Sequence, residues 1–180
     1  MSYAIPTNEL TLTDIKAYKA AAVEAGVKRG ILKLGISRGE EVVREAQTGI
    51  DFPGAYVPGV ENYITGVLAA GWNFVGSLGA AAVLPVGMVA VFYKIADWSG
   101  IPNITAVRFR VGGTGASTKG TFNIQVPINT KVESEVYLSE PIVYDPQDVL
   151  FIQCYAIAAG PAENLGFGCF IIEKVGANVS

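Results

Sequence analysis

The sequence predicts a mainly β protein, an antiparallel sandwich or closed barrel led by an N-terminal helical segment, and three observations predict it. From about Tyr63 onward apolar and polar residues alternate with a period of two, the spacing that sends successive side chains to opposite faces of a sheet. Turn-forming clusters, "DWSGIPN", "GGTGASTKG", "YDPQD" and "AAGPAEN", separate these runs at short intervals with no helix pattern between them. Ahead of them stands one helical pattern, in a region that holds nearly half of the charged residues. The chain is therefore expected to divide into a charged helix and arm, residues 1–51, and a β-sandwich or barrel domain, residues 52–180. With 180 residues, 51% of them hydrophobic, it can bury a core that needs no disulfide staple.

The first element begins at "TLTD". Thr11 and Asp14 have the spacing of a capping box, and Leu12, Ile15, Tyr18, Ala22 and Val23 recur at helical intervals. A helix over about Leu12 to Lys28 is expected, with Gly30 as its stop signal. Its apolar stripe is narrow and alanine-rich, and an isolated helix of this length is marginal in water. It must lie on the domain itself or on a neighbouring subunit. The next stretch, "GISRGEEVVREAQTGIDFPG", reads two ways: Ser37 and Glu40 repeat the capping spacing, while Val42 and Val43 suit a strand equally well. "DFPGAYVPGVEN", dense in proline and glycine, reads as a surface connection.

Between Glu61 and Lys94 no residue is charged, which raises the question of a membrane span. A helix from Ile64 to Phe92 would contain Gly66, Gly71, Gly76, Gly79, Gly87 and Pro85. Each glycine costs roughly 1 kcal/mol relative to alanine, and the proline roughly 3. The period-two pattern runs straight out of the segment at Val89, Val91 and Tyr93, and the flanks show no positive-inside asymmetry. One or two buried strands joined by a small-residue turn are expected here, not a membrane span.

The later strands follow in order. In "NITAVRFRVGG", Thr105, Val107, Phe109 and Val111 point one way and Arg108 and Arg110 the other; in "TFNIQVPI", Phe122, Ile124 and Val126 point inward; in "KVESEVYLSE", Glu133 and Glu135 oppose Val132, Val136 and Leu138. "GMVAVFYKIAD", "DVLFIQCYAIAAG" and "LGFGCFIIEKVG" are apolar on both faces, as expected of central strands covered on two sides or by another subunit. Cys154 and Cys169 lie inside two of these runs and read as free, buried thiols.

The chemical inventory is short. The chain has no histidine, so the commonest acid-base group and metal ligand is missing from hydrolase triads and zinc sites alike. "GGTGASTKG" matches neither phosphate-loop pattern and joins two strands, so it reads as a hairpin loop. Glu140, Asp145 and Asp148 suit calcium or a carboxylate pair on composition, but Asp145, Pro146 and Asp148 more simply make a turn. Trp72 and Trp98, with the scattered tyrosines, are candidates for a sugar-stacking platform or for core and rim packing. A net charge of -3 with interspersed signs gives no basic footprint for nucleic acid, and "MSYAIPTNELTLTD" does not read as a secretory leader. No enzyme activity, cofactor or metal is expected.

Four phrases between about Glu40 and Gly176 carry a resemblance. They are "EEVVREAQTGIDF", in which Arg44 and Asp51 bracket a turn at Thr48; "VFYKIADWSGIPNITAVRFRVG"; "YLSEPIVYDPQDVLFIQCYA"; and the closing "LGFGCFIIEKVG". In this layout the chain resembles small β-sandwich virion proteins of tailed phages and related viruses. The resemblance implies a single jelly-roll-like sandwich, located in the virion, that coats, cements or decorates a capsid and associates with itself, as a trimer or larger symmetric assembly, and with other capsid proteins. The expected interface is the thin helix face, Leu12, Ile15, Tyr18 and Val23, and deletion of residues 1–30 is expected to leave a folded β domain that no longer assembles. The alternative is a carbohydrate- or receptor-binding module of a virion spike.

Overall fold

The computed structural model describes residues 4–46, 56–57, 60–64, 67–75, 82–97, 103–112, 117–124 and 135–175. Its first strand, β1 (Ala4–Pro6), leads through a 3-10 turn at Thr7–Glu9 into helix α1 (Leu12–Leu34). The capping box forms as its spacing predicts: Thr11 Oγ1 accepts the Asp14 N–H at 3.2 Å, and Asp14 Oδ2 accepts the Thr11 N–H at 2.8 Å.

The expected stop at Gly30 does not hold. The helix continues to Leu34 and closes on Gly35, whose φ of 62° is the left-handed geometry that glycine adopts without strain. Gly30 stays inside because it faces the sheet, where a Cβ would stand 3.1 Å from Ile172 Cγ2; at Gly26 a Cβ would stand 2.4 Å from Ile172 Cδ1 and 2.6 Å from Val91 Cγ2. These two glycines serve close approach, and the packing they permit outweighs their helix propensity. The ambiguous segment after the helix resolves as a turn and a strand. Glu40 N–H donates to the Ser37 carbonyl and Ser37 N–H to the Glu40 carboxylate, and β2 (Glu41–Glu45) follows.

The remaining strands are β3 (Tyr56–Val57), β4 (Val60–Ile64), β5 (Gly71–Phe74), β6 (Ala82–Val83), β7 (Met88–Asp97), β8 (Ile104–Val111), β9 (Ser117–Asn123), β10 (Glu135–Tyr144), β11 (Val149–Ala156) and β12 (Asn164–Lys174). They form two antiparallel sheets. The larger runs β1-β10-β7-β12-β4-β3, with β2 also paired to β12; the smaller runs β5-β11-β8-β9, with β6 also paired to β11. If β4, β5, β7, β8, β9, β10, β11 and β12 are lettered B to I, the central orders become B-I-D-G and C-H-E-F. Successive lettered strands thus switch sheets at every step except the β8–β9 hairpin, which is the double Greek key of a jelly roll. The sandwich, and not the closed barrel, is the form adopted.

Two apolar layers hold it together. Between the sheets, Phe92 meets the rings of Phe109, Tyr144 and Phe167 with centroids 5.4, 5.7 and 5.9 Å away. Such tilted and edge-on contacts suit aromatic quadrupoles. The deeply buried Tyr144 hydroxyl is satisfied by donating to the Arg110 carbonyl at 3.0 Å. Between the larger sheet and α1, Val89, Val91, Tyr93, Tyr137, Phe170 and Ile172 pack on Ala22 and Val27. This second layer explains why β7 and β12 are apolar on both faces: one face meets the smaller sheet and the other the helix.

The alternation expected for β8 holds at Val107 and Phe109, both fully buried. At its start Ile104 turns inward in place of Thr105, because the pairing with β11 slips one residue between Tyr155 and Ala156. Phe122, Ile124, Val136 and Leu138 are buried as expected, while Val126, Val132 and Glu133 lie outside the described residues. The segment from Gly71 is less buried than its composition implies. β5 and β6 both pair with β11, and Val75 and Leu84 are buried, yet Phe74 and Val83 are 47% and 57% exposed, since they point to the outer side of the smaller sheet. Among the described residues no helix is long and apolar enough to cross a membrane.

Candidate contact surfaces

The sandwich has two outer sides, and they are built differently. On the larger sheet α1 lies across β7, β12 and β10 and is fixed by ion pairs as well as by packing. Arg29 grips the Asp145 carboxylate through Nε and Nη2, and Lys33 reaches the same carboxylate at 3.3 Å. The Arg29 hydrogen bonds, with Lys33 beside them, hold the Asp145 carboxyl below the usual carboxylate range. Asp145 belongs to the turn expected at "YDPQD": its N–H donates to Asp148 Oδ2, the Asp148 N–H donates back to its carbonyl, and Gln147 takes a left-handed φ of 65°. The turn is thus a mooring for the helix.

The four residues expected at an interface are placed unequally. Ile15, Tyr18 and Val23 rest, partly buried, against the layer beneath the helix, with the Tyr18 ring 6.1 Å from that of Tyr137; Leu12 is 68% exposed. Leu32, which the sequence analysis did not single out, is 73% exposed on the same helix. The boundary proposed at residue 51, with Thr48 and Asp51, lies outside the described residues.

No chain segment among the described residues covers the outer side of the smaller sheet. The register sets its side chains in rows. Trp72, Tyr155, Ala106 and Asn123 lie across one row, Phe74, Gln153, Arg108 and Thr121 across the next, and Phe151, Arg110 and Thr118 across the third. Aromatic side chains and Gln153 occupy the β5–β11 half, and apart from Ala106 the β8–β9 half is polar. Trp72 meets Tyr155 edge-on at 5.3 Å, and Phe74 meets Phe151 edge-on at 5.2 Å. Arg108 stacks its guanidinium over Trp72 at 3.9 Å and donates from Nε to Gln153 Oε1 at 2.7 Å. Arg110 lies over Phe151 at 5.6 Å and touches the same Gln153 oxygen at 3.5 Å. Burial, with Arg110 next to it, lowers the pKa of Arg108, and no carboxylate faces it among the described residues.

Trp72 packs at the rim, edge-on to Tyr155 and beneath Arg108, in rows beside Phe74 and Phe151, while Trp98 lies outside the described residues. The signal is present in "GWNF", where Trp72 and Phe74 stand two positions apart, and in "FIQCY", where Phe151, Gln153 and Tyr155 share one strand face, but β11 reads as apolar on both sides.

A third polar feature closes one end of the sandwich. Glu163 and Asp97 are both buried, and Glu163 Oε1 accepts the Asn103 N–H at 2.8 Å. Burial, and then the neighbouring Asp97 carboxyl, push the Glu163 pKa up to about 7. Asn103 also bonds the backbone of Ala158 in both directions, so this cluster ties the start of β8 to the approach to β12. Cys154 and Cys169 are free and buried, and burial pushes the Cys154 thiol up to about 12.

No protein-family model matches the chain, and no curated protein matches it. Among solved structures, the infectious bursal disease virus VP2 subviral particle aligns with a TM-score of 0.35 and 8% sequence identity, over 76% of this chain and 33% of that one. The chain thus spans about a third of that protein, and a likeness so slight carries neither fold nor function across.

Proposed function

We propose that this protein is a structural component of a virus particle, a jelly-roll subunit that acts by contact and not by catalysis. The observation that supports this best is the B-I-D-G and C-H-E-F strand order, an arrangement used by viral capsid and lectin domains. That support is analogy of fold, and the phrase-level resemblance to small virion proteins adds to it. The absence of histidine from the chain fits a contact role. The proposed partners are copies of the same chain and other shell proteins, in a coat, cement or decoration layer. On the helix side the proposed contact centres on Leu12, with Ile15, Tyr18 and Val23 behind it.

Size-exclusion chromatography with light scattering, followed by negative-stain imaging, tests the reading. A closed symmetric multimer of the full chain is expected. A protein that stays monomeric at high concentration and does not attach to a capsid shell would overturn it. Because α1 covers Val89, Val91, Tyr93 and Ile172, deleting residues 1–30 uncovers a core layer, and the substitution Leu12→Glu is the cleaner probe of this contact.

The alternative, a glycan- or receptor-binding module of a spike, has one observation in its favour, the aromatic and arginine face of the smaller sheet.

A further inference from the structure

We infer that the outer face of the smaller sheet is a docking site for a carboxylate-bearing saccharide, seated on Tyr155 and Phe74 with its acid group on Arg108. The site is independent of whether the chain forms a shell.

The charge of the occupant follows from the arginines. Arg108 and Arg110 stand two residues apart on one strand, roughly 7 Å along it. Gln153 bridges them through a single oxygen, at 2.7 and 3.5 Å. Arg108 is held flat between Trp72 and Gln153, with no carboxylate facing it among the described residues, so its guanidinium is ordered in advance for an incoming anion. A second copy docked face to face is a poor occupant, because it would set arginines against arginines.

The ring chemistry follows from the rows. Phe74 is 47% and Tyr155 39% exposed, and they offer flat apolar area for the C–H face of a pyranose. Next to Tyr155, Ala106 contributes only a methyl, and the two rows end in the exposed polar residues Asn123 and Thr121. An acidic peptide fits less well. In mid-sheet the backbone ladder is already paired, so a peptide laid across it would lose water from its own N–H and C=O groups without gaining partners. Extended peptides find those partners at sheet edges.

The test uses the full chain with sialyllactose and a glucuronate oligosaccharide as probes, with lactose as the neutral control, read by tryptophan emission and by isothermal titration. Saturable binding of at least one acidic probe is expected, with lactose about tenfold or more weaker. Arg108→Gln and Tyr155→Ser are each expected to reduce affinity by about tenfold, with circular dichroism unchanged. The conservative Tyr155→Phe should retain binding, which separates loss of the ring from loss of fold. The inference is overturned if neither acidic probe binds, if lactose binds equally well, or if Arg108→Gln and Tyr155→Ser leave affinity unaltered. It is equally overturned if those substitutions dissociate a multimer, since the face would then be a contact between proteins.

Discussion

The two outer sides of this sandwich are both faces of antiparallel sheets, and their chemistry differs. Under the helix the larger sheet presents Val89, Val91 and Ile172, and the helix answers with Ala22, Gly26 and Gly30, residues small enough to bring the two backbones close. The outer side of the smaller sheet, over which no described segment lies, presents Phe74 together with Trp72, Tyr155, Arg108 and Gln153, four groups with both an apolar body and a polar handle. The difference teaches how a sheet face signals its fate. A face covered by the helix is apolar and fitted, whereas a face that no described segment covers carries side chains that tolerate both water and contact.

The strongest way to break the comparison is to spoil the fit of the covered side. Gly26→Val places a branched side chain where a bare Cβ already comes within 2.6 Å of Val91. A loss of about 3 kcal/mol is expected in urea unfolding. A loss under about 0.5 kcal/mol would show that the helix floats on the sheet.

Next in size is the carboxyl cluster at the end of the sandwich, which belongs to neither side. The folded-state pKa of Glu163 is raised from 4.5 to about 7, so the stability it contributes is complete below pH 4.5 and is lost as the pH rises through 7. Roughly 3 kcal/mol is the scale implied by such a shift. The unfolding midpoint should be higher at pH 5 than at pH 8, and Glu163→Gln should flatten that difference. A wild-type profile no steeper than that of the variant would remove Glu163 from the account.

Third comes the mooring of the helix. Arg29→Met should cost about 1 kcal/mol, since Arg29 is itself 41% exposed and solvent weakens the pair. The sign with pH is opposite to that of Glu163. Because the Asp145 carboxyl is held low, its contribution is present above the ordinary carboxylate range and fades as the pH falls through the depressed value. Acid unfolding of the Arg29→Met protein should therefore show a shallower slope below pH 4.

The smallest stability effect is expected on the outer side of the smaller sheet, where Phe74→Ser should change the unfolding free energy by no more than about 1 kcal/mol. A much larger loss would mean that this face supports the fold as the covered one does, and the contrast between the two sides would fail.

Much of this architecture was legible from residue order. The capping pair Thr11 and Asp14, the alternation at Val107 and Phe109 against Arg108 and Arg110, and the turn at Asp145 to Asp148 are local, and local chemistry decides them. Gly30 was misread because the same residue stops a helix when it must turn left-handed and continues one when a neighbour presses against it. Nothing within a few positions of Gly30 distinguishes these cases, since the pressing atom belongs to Ile172. The contact platform was missed for a related reason. Trp72, Arg108 and Tyr155 are scattered along the chain, and only the pairing of β5 and β8 with β11 makes them neighbours.

By itself the sequence determined that this is a β protein with one capped helix and no histidine chemistry, because periodicity, caps and composition are properties of neighbouring residues. The jelly roll was implied by resemblance alone, and the tertiary structure decided its strand order, that the helix seals one side of it, and that arginine and aromatic side chains meet on the other. Those facts depend on contacts between residues far apart in sequence, which form when whole faces are buried together; the local pattern marks that a strand face is covered, and not which segment covers it.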